Sequence, residues 1–229
     1  MKKFFLFAAA VAAALSVNAE TLTFEADTVK TAGTWSNGYK WELNTFDVML
    51  VDTKGKFQID ANNAYFGDAE NYVKLEARLK TGGKTATSGE NSIMIKAYQS
   101  EKLYIAARTG SNSATDRNII VTQDGKELIN KILLESEAVK VKGMDKDNPE
   151  KETNIYPILS CDVTAGDIVI SYPVNGVNIY AIALGGGIEH SASQGIDNVE
   201  AVKAEKFYRD GQLIIRKNGV EYNALGAKL

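Results

Sequence analysis

The sequence predicts an all-β protein, an antiparallel β-sandwich of the jelly-roll type followed by a small C-terminal β-meander. Short segments in which polar and apolar residues alternate recur along the chain; in Tyr72–Lys80, for example, Val73, Leu75, Ala77 and Leu79 share one face. Such alternation is typical of antiparallel sheets with one wet and one dry face. Turns rich in Gly, Asn and Asp separate the segments. Many short strands with little helical periodicity between them favour a sandwich.

The sandwich is predicted over residues 20–184. Its predicted strands, in chain order, are Leu22–Ala26, Lys40–Leu43, Phe46–Val51, Lys56–Asp60, Tyr72–Lys80, Ser92–Tyr98, Lys102–Arg108, Asn118–Thr122, Ala138–Val141, Ile155–Val163, Asp167–Tyr172 and Asn178–Leu184. The segment Glu127–Ser136 fits either a short helix or a strand. We favour a strand, because the segment follows the turn Asp124-Gly125.

Residues 1–19 have the pattern of a secretory signal peptide. Lys2 and Lys3 form a cationic head, an uncharged apolar run extends from Phe4 to Leu15, and small residues precede Glu20. The run is too short for a permanent membrane span, and no later stretch is long and apolar enough for one. The sequence therefore predicts an exported protein, cleaved before Glu20, with no transmembrane segment in the mature chain.

Composition excludes several function classes. The chain has 26 basic and 29 acidic residues and a net charge of −3, which becomes more negative once Lys2 and Lys3 are removed. No basic footprint for nucleic acid exists, so we predict no nucleic-acid partner. With Cys161 and His190 as the single residues of their types, an internal disulfide and a His-based zinc site cannot form. Carboxylate, Tyr, Lys or Arg chemistry stays possible, as does no chemistry.

The C-terminal region consists of a linker and a tail. Gly- and Ser-rich residues 185–195 read as a flexible linker, and the tail occupies residues 196–229. Two tight-turn signals, Asp210-Gly211 and Asn218-Gly219, predict three short strands. With its segments Ile196–Val199 and Phe207–Gly226, the tail resembles the C-terminal sorting domains of Bacteroidetes secreted proteins. That resemblance implies recognition by the type IX secretion machinery and display at the cell surface; with an inactive tail, the protein would stay in the periplasm.

A second resemblance concerns the sandwich. The segments Lys102–Val121, Gly166–Tyr172 and Asn175–Ile182 resemble parts of the β-sandwich modules attached to pectate lyases and related polysaccharide-degrading enzymes. This resemblance implies a non-catalytic module that binds carbohydrate, without naming the ligand.

Two groups of residues are candidates for sugar contact. Tyr39 and Trp41 follow the turn Asn37-Gly38; in a two-residue hairpin they would share one face, with Trp35 on the other. An aromatic face suits a sugar ring, but burial of these rings in the core is an equal alternative, and for Trp35 we favour burial. Arg108 and Arg117 flank a loop that contains Asn112. Arg forks bind carboxylates such as uronic acids, although a structural role in pinning the loop is favoured.

Acidic side chains offer weaker candidates. The stretch Asp145–Glu150 is rich in oxygen ligands, but it lacks the pattern of an EF-hand, so we favour a solvated loop over a structural calcium site and predict no cofactor. Asp60, Asp68 and Glu70 could supply a carboxylate pair for glycan cleavage, and nothing raises one pair above another.

We therefore predict a secreted or surface-displayed, non-catalytic sandwich that binds a polysaccharide or cell-surface glycan through Tyr39, Trp41, Arg108, Asn112 and Arg117. One alternative is a surface structural or adhesion protein without a sugar site, which an exposed apolar patch would support. The other is a small carboxylate-based polysaccharide hydrolase or lyase, which an acid beside Arg and Tyr in a groove would support.

Overall fold

A computed structural model describes residues 19–24, 33–35, 37–145 and 147–188, together with the backbone of three C-terminal strands. The predicted signal peptide lies outside the described residues apart from Ala19, and the predicted linker is described only as far as residue 188. The chain divides into two compact units, Met1–His190 and Ser191–Leu229. Among the residues described, no helix is long and apolar enough to cross a membrane.

The described regular structure is almost entirely strand. In the first unit the strands are β1 (Glu20–Thr23), β2 (Gly33–Thr34), β3 (Lys40–Glu42), β4 (Phe46–Val51), β5 (Gln58–Gly67), β6 (Tyr72–Lys80), β7 (Ser92–Ala97), β8 (Glu101–Thr109), β9 (Asn118–Gln123), β10 (Lys126–Ile132), β11 (Val139–Val141), β12 (Thr153–Tyr156), β13 (Leu159–Val163), β14 (Gly166–Ser171) and β15 (Val177–Leu184). A 3-10 turn, Glu135–Glu137, lies between β10 and β11. In the second unit β16 (Glu205–Arg209), β17 (Gln212–Lys217) and β18 (Val220–Asn223) form an antiparallel meander.

The first unit is a two-sheet sandwich, as predicted. Sheet A has the order β11-β12-β5-β6-β15-β8-β13, with β1 beside β15 and β2 beside β5. Sheet B has the order β10-β9-β14-β7-β4-β3. Successive strands from β6 to β9 alternate between the sheets, so their connections cross the sandwich. One correction applies to the antiparallel prediction: β12 pairs with β5 in parallel, because the chain returns to the edge of sheet A by a long connection.

Buried side chains form two clusters. The main core lies between the sheets and includes Phe46, Leu79 and Ile95. A second, smaller cluster includes Ala106 and Tyr156. Since β8 sends Leu103, Ile105 and Ala107 into the main core and Ala106 into the second cluster, the two clusters lie on opposite faces of that strand. All eight residues of β15 are buried, as expected for a strand covered on both faces.

The second cluster forms because the β5–β6 hairpin leaves the plane of sheet A. β15 pairs with β6 only at Asn178 and Ile179, and beyond that point it pairs with β1. The far half of the hairpin packs on the outer face of the sheet, where Phe66 and Leu75 join the second cluster. A register shift in β5 between Ala61 and Ala64 accompanies this change of course.

Strand bounds follow the sequence pattern where alternation is regular. β4 and β6 have the predicted limits. The strand favoured for Glu127–Ser136 is present as far as Ile132, but its last two residues belong to the 3-10 turn. β5 runs on to Gly67 rather than ending at Asp60. The predicted strand Ile155–Val163 is broken at Pro157 into β12 and β13, which pair with different neighbours, since Pro has no N–H for a ladder.

The predicted hairpin at Asn37-Gly38 is wrong. β2 pairs with β5 in sheet A, and β3 pairs with β4 in sheet B, so the turn connects the two sheets. Gly38 has φ of +77°, which favours glycine there. The amide of Gly38 donates to the carbonyl of Leu50 at 2.8 Å, and Oδ1 of Asn37 accepts from the amide of Asp52 at 2.8 Å, so the turn is held by the end of β4.

Candidate functional site

A polar cleft of about 580 Å³ opens beside the second cluster, where the β5–β6 hairpin, β8 and β12 meet. Its walls come from sheet A, the 3-10 turn and the connection between β11 and β12. The lining residues used below are Asn63, Tyr65, Lys74, Arg108, Glu135, Asp145, Lys151, Asn154 and Tyr156. The cleft therefore combines aromatic rings, amides and charges of both signs, as ligand sites commonly do.

Arg108 contributes a guanidinium group to the cleft. It lies on the same face of β8 as Ala106, opposite the main core. Its Nη2 donates to Oδ1 of Asn112 at 2.8 Å, and its guanidinium carbon lies 4.9 Å from the centroid of the Tyr156 ring. Its Nε is buried and has no hydrogen-bond partner among the described residues. Two of the predicted site residues, Arg108 and Asn112, are thus brought together.

Glu135 is one of the acids that line the same cleft. Its Oε1 accepts from the Tyr156 hydroxyl at 2.5 Å and from Nδ2 of Asn154 at 3.0 Å. Its Oε2 is buried without a partner in the described part of the chain. Burial, and then the hydrogen bond to Glu135, raise the pKa of Tyr156 to about 12. The phenol therefore keeps its proton at neutral pH and acts as a donor to the carboxylate.

The lysines of the cleft already have carboxylate partners. Nζ of Lys74 pairs with Glu76, and Nζ of Lys151 pairs with Oδ2 of Asp145 at 2.9 Å. The hydrogen bond from Lys151 is the main cause that lowers the pKa of Asp145. Oδ1 of Asp145 accepts from the amides of Asp147 and Asn148 at 3.1 and 3.2 Å. Both oxygens of Asp145 therefore have protein donors.

Two of the three other acidic candidates, Asp60 and Asp68, also have protein partners. Asp60 pairs with Arg78, Nε to Oδ1 at 2.7 Å, and Asp68 accepts from the amides of Glu70 and Asn71 at 2.8 Å. Among the described residues, no three Asp, Glu, His or Cys side chains converge as metal ligands do.

Tyr39 and Trp41 lie in a separate aromatic group. Tyr39 contacts Trp41 at 4.8 Å and Trp35 at 4.1 Å between ring centroids, both edge to face, and Trp41 contacts buried Phe24 at 5.6 Å. The prediction that Trp35 occupies the opposite face is wrong, because the expected hairpin does not form. Trp35 and Trp41 pack against the main core, while Tyr39 is 38% exposed. No contact joins this group to Arg108 among the described residues.

Arg117 holds two loops together. Its Nη1 donates to the carbonyl of Gly176 at 2.8 Å, and its own carbonyl accepts from the amide of Leu133 at 2.9 Å. A Cβ on Gly110 would lie 2.5 Å from Nη1 of Arg117, so the loop after β8 passes directly over the guanidinium. Arg117 is not among the residues that line the cleft. Its side-chain partner is a backbone carbonyl, that of Gly176.

Sequence reasoning missed Glu135, Asn154 and Tyr156. They lie in segments whose pattern marks them as ordinary strand or loop residues. Asn154 and Tyr156 belong to β12, whose position depends on its pairing with β5, and Glu135 contacts both of them from the 3-10 turn. Arg108, by contrast, was predicted. Alternation in β8 places it on the same face as Ala106, opposite the side chains of the main core.

The fold and the cleft define a two-sheet β-sandwich with a polar cleft beside its second cluster. No family model matches the chain, and no curated protein matches it. Among solved structures, the chain is similar to one from a study of glycan recognition in the Ruminococcus flavefaciens cellulosome. The TM-score is 0.36 and the identity 14%, over 75% of this chain and 96% of that chain. The resemblances to sorting domains and to lyase-attached modules stay predictions.

Proposed function

We propose that the protein is an exported, non-catalytic carbohydrate-binding module and that the cleft beside Arg108 is its binding site. The observation that carries the proposal is the meeting of Arg108, Glu135 and Asn154 with the rings of Tyr65 and Tyr156 in one cleft. Sugar hydroxyls both donate and accept hydrogen bonds, and sugar C–H groups pack on aromatic faces. The cleft offers a fixed donor, a fixed acceptor and apolar rings for these groups.

Two features support export. β1 begins at Glu20, the residue that the predicted cleavage would place at the new N-terminus. Its carboxylate accepts from the amide and hydroxyl of Thr45 at 2.6 and 2.7 Å and from the amide of Asn44 at 3.0 Å, so the residue that would become the N-terminus is bound to the sandwich. We propose that the C-terminal meander then serves sorting to the cell surface.

The test is binding of the full mature chain to a panel of neutral and acidic polysaccharides. Arg108→Gln is expected to weaken binding, whereas Lys126→Gln, which removes the same charge from an exposed position on sheet B, is expected to leave it unchanged. Tyr39→Ala tests the aromatic group. Loss of binding in that variant alone would show that the binding site lies at Tyr39 and Trp41. Absence of binding by the folded wild type would refute the proposal.

A second candidate function is a carboxylate-based polysaccharide lyase or hydrolase, favoured by the position of Glu135 beside Tyr156 and Arg108. Against it, Tyr156 holds its proton with a pKa of about 12. Asp145 is paired with Lys151 and Glu152 with Lys140, so Glu135 has no second unpaired carboxylate beside it among the described residues that line the cleft. Release of new reducing ends or unsaturated products from a polymer, abolished by Glu135→Gln, would establish this function in place of simple binding.

A further inference from the structure

The cleft holds a cation, Arg108, that has no carboxylate partner among the described residues. Its two lysines pair with carboxylates, Lys74 with Glu76 and Lys151 with Asp145. The guanidinium of Arg108 contacts the Asn112 amide oxygen and the Tyr156 ring, and it makes no ion pair with a carboxylate of the described residues. A partly buried guanidinium is poorly hydrated. Without a counter-ion, its positive charge is therefore compensated neither by water nor by a carboxylate.

Arg108 is also held in place before any ligand arrives. Asn112 fixes one Nη at 2.8 Å, and the guanidinium packs against the ring of Tyr156, whose hydroxyl is fixed in turn by Glu135 at 2.5 Å. A guanidinium fixed in this way loses little conformational entropy on binding. Its planar fork matches a carboxylate with two parallel hydrogen bonds.

We infer that the cleft selects sugars that bear a carboxylate, so that its substrate class is the uronic-acid residues of acidic polysaccharides. This inference rests on the proposed function. The ligand carboxylate pairs with Arg108, and Glu135 orients the ring, because its Oε2 has no protein donor and can accept from a sugar hydroxyl or a bridging water. Repulsion by Glu135 directs the carboxylate to the Arg108 side of Tyr156.

The test compares a short oligogalacturonate with its methyl ester of the same length, by calorimetric titration into the full mature chain. The ester keeps the rings and hydroxyls and loses the charge. We expect binding to the acid to be roughly tenfold to a hundredfold tighter, the range for charge-assisted hydrogen bonds. Arg108→Gln should abolish this preference, Arg108→Lys should restore part of it, and Lys126→Gln should retain all of it.

The possible results distinguish a failure of the preference for carboxylates from a failure of carbohydrate binding itself. Equal binding of acid and ester by the wild type, or a preference that survives in folded Arg108→Gln, would overturn the inference and leave carbohydrate binding intact. Equal or tighter binding of a sulfated glycan of the same charge would overturn the assignment to carboxylates. Absence of binding to every glycan, neutral or acidic, would remove the proposed function and the inference together. The acid–ester comparison needs no variant, so it decides even where Arg108→Gln does not fold.

Discussion

The hydroxyl of Tyr156 donates a hydrogen bond to Oε1 of Glu135 at 2.5 Å and thereby ties β12 to the 3-10 turn. The face of the same ring carries the guanidinium of Arg108 at 4.9 Å. One phenol therefore positions two charged groups of the cleft, Glu135 through its oxygen and Arg108 through its ring. This shared contact keeps an Arg and a Glu in one cleft without an ion pair between them.

Replacing Tyr156 by Phe separates these two contacts. The ring and its contact with Arg108 stay, but Glu135 loses one of its two donors in a half-buried place. We expect the free energy of unfolding to fall by about 1–3 kcal/mol, the usual effect of removing a hydrogen bond to a charged group. Urea denaturation measures it. Tyr72→Phe is the control, because Tyr72 is 45% exposed; equal effects of the two variants would contradict the role of the Glu135 contact.

Arg117 should matter for stability and not for the ligand. Arg117→Gln removes the hydrogen bond to the Gly176 carbonyl, and we expect a loss of about 1–3 kcal/mol in unfolding free energy. Glycan affinity of the folded variant should equal that of the wild type, because Arg117 does not line the cleft. Thermal denaturation and the binding titration check the two halves of this prediction. A stable variant with lost binding would show that Arg117 is a ligand residue after all.

Asp47 should contribute to stability above acid pH. Hydrogen bonds from Lys40 and then Tyr98 lower the pKa of this buried carboxyl. A group whose pKa is lowered by folding stabilises the protein above its unfolded value of about 4, and that stabilisation is lost as the pH falls through the folded value. Asp47→Asn should therefore make the loss of stability below about pH 4 shallower.

The control for Asp47 is Asp162→Asn. The Asp162 side chain is 87% exposed and lies 3.6 Å from Nζ of Lys102. Surface pairs of this kind contribute little. Chemical denaturation across the acid range should show the change in Asp47→Asn alone; the same change in both variants would assign the acid sensitivity to overall charge.

Export should depend on the two ends of the chain. The N-terminus of the mature protein, read by mass spectrometry, should be Glu20. Removal of residues 196–229 should leave the protein in the periplasm of its host with an unaltered sandwich fold, because the two units are separately compact. Surface display of the shortened chain, measured by protease shaving of intact cells, would contradict a sorting role for the meander.

The sandwich could be predicted from the sequence because its strands alternate cleanly. In β6 every second residue from Val73 to Leu79 is buried, and the predicted limits are those of the strand. β5 could not be read in full, since the register shift between Ala61 and Ala64 interrupts the period of two. The dipeptide Asn37-Gly38 signals a turn, but it does not say which strands pair on either side.

The cleft was only partly predictable. Arg108 and Asn112 are four residues apart, so a loop between them could bring them together from sequence alone. Tyr156 and Glu135 are 21 residues apart, and Tyr156 reaches Arg108 through the parallel pairing of β12 with β5. Long-range pairing of this kind depends on the whole topology. The local sequence around Tyr156 does not indicate that β12 pairs with β5.

The location of the ligand site is the central claim, and hydrogen–deuterium exchange of the full mature chain with and without an acidic oligosaccharide tests it most directly. We predict that added glycan slows exchange in β8, in β12 and in the loop containing Asn112. Slowing confined to the segment around Tyr39 and Trp41, or no change at a glycan concentration that saturates binding, would contradict a site at Arg108.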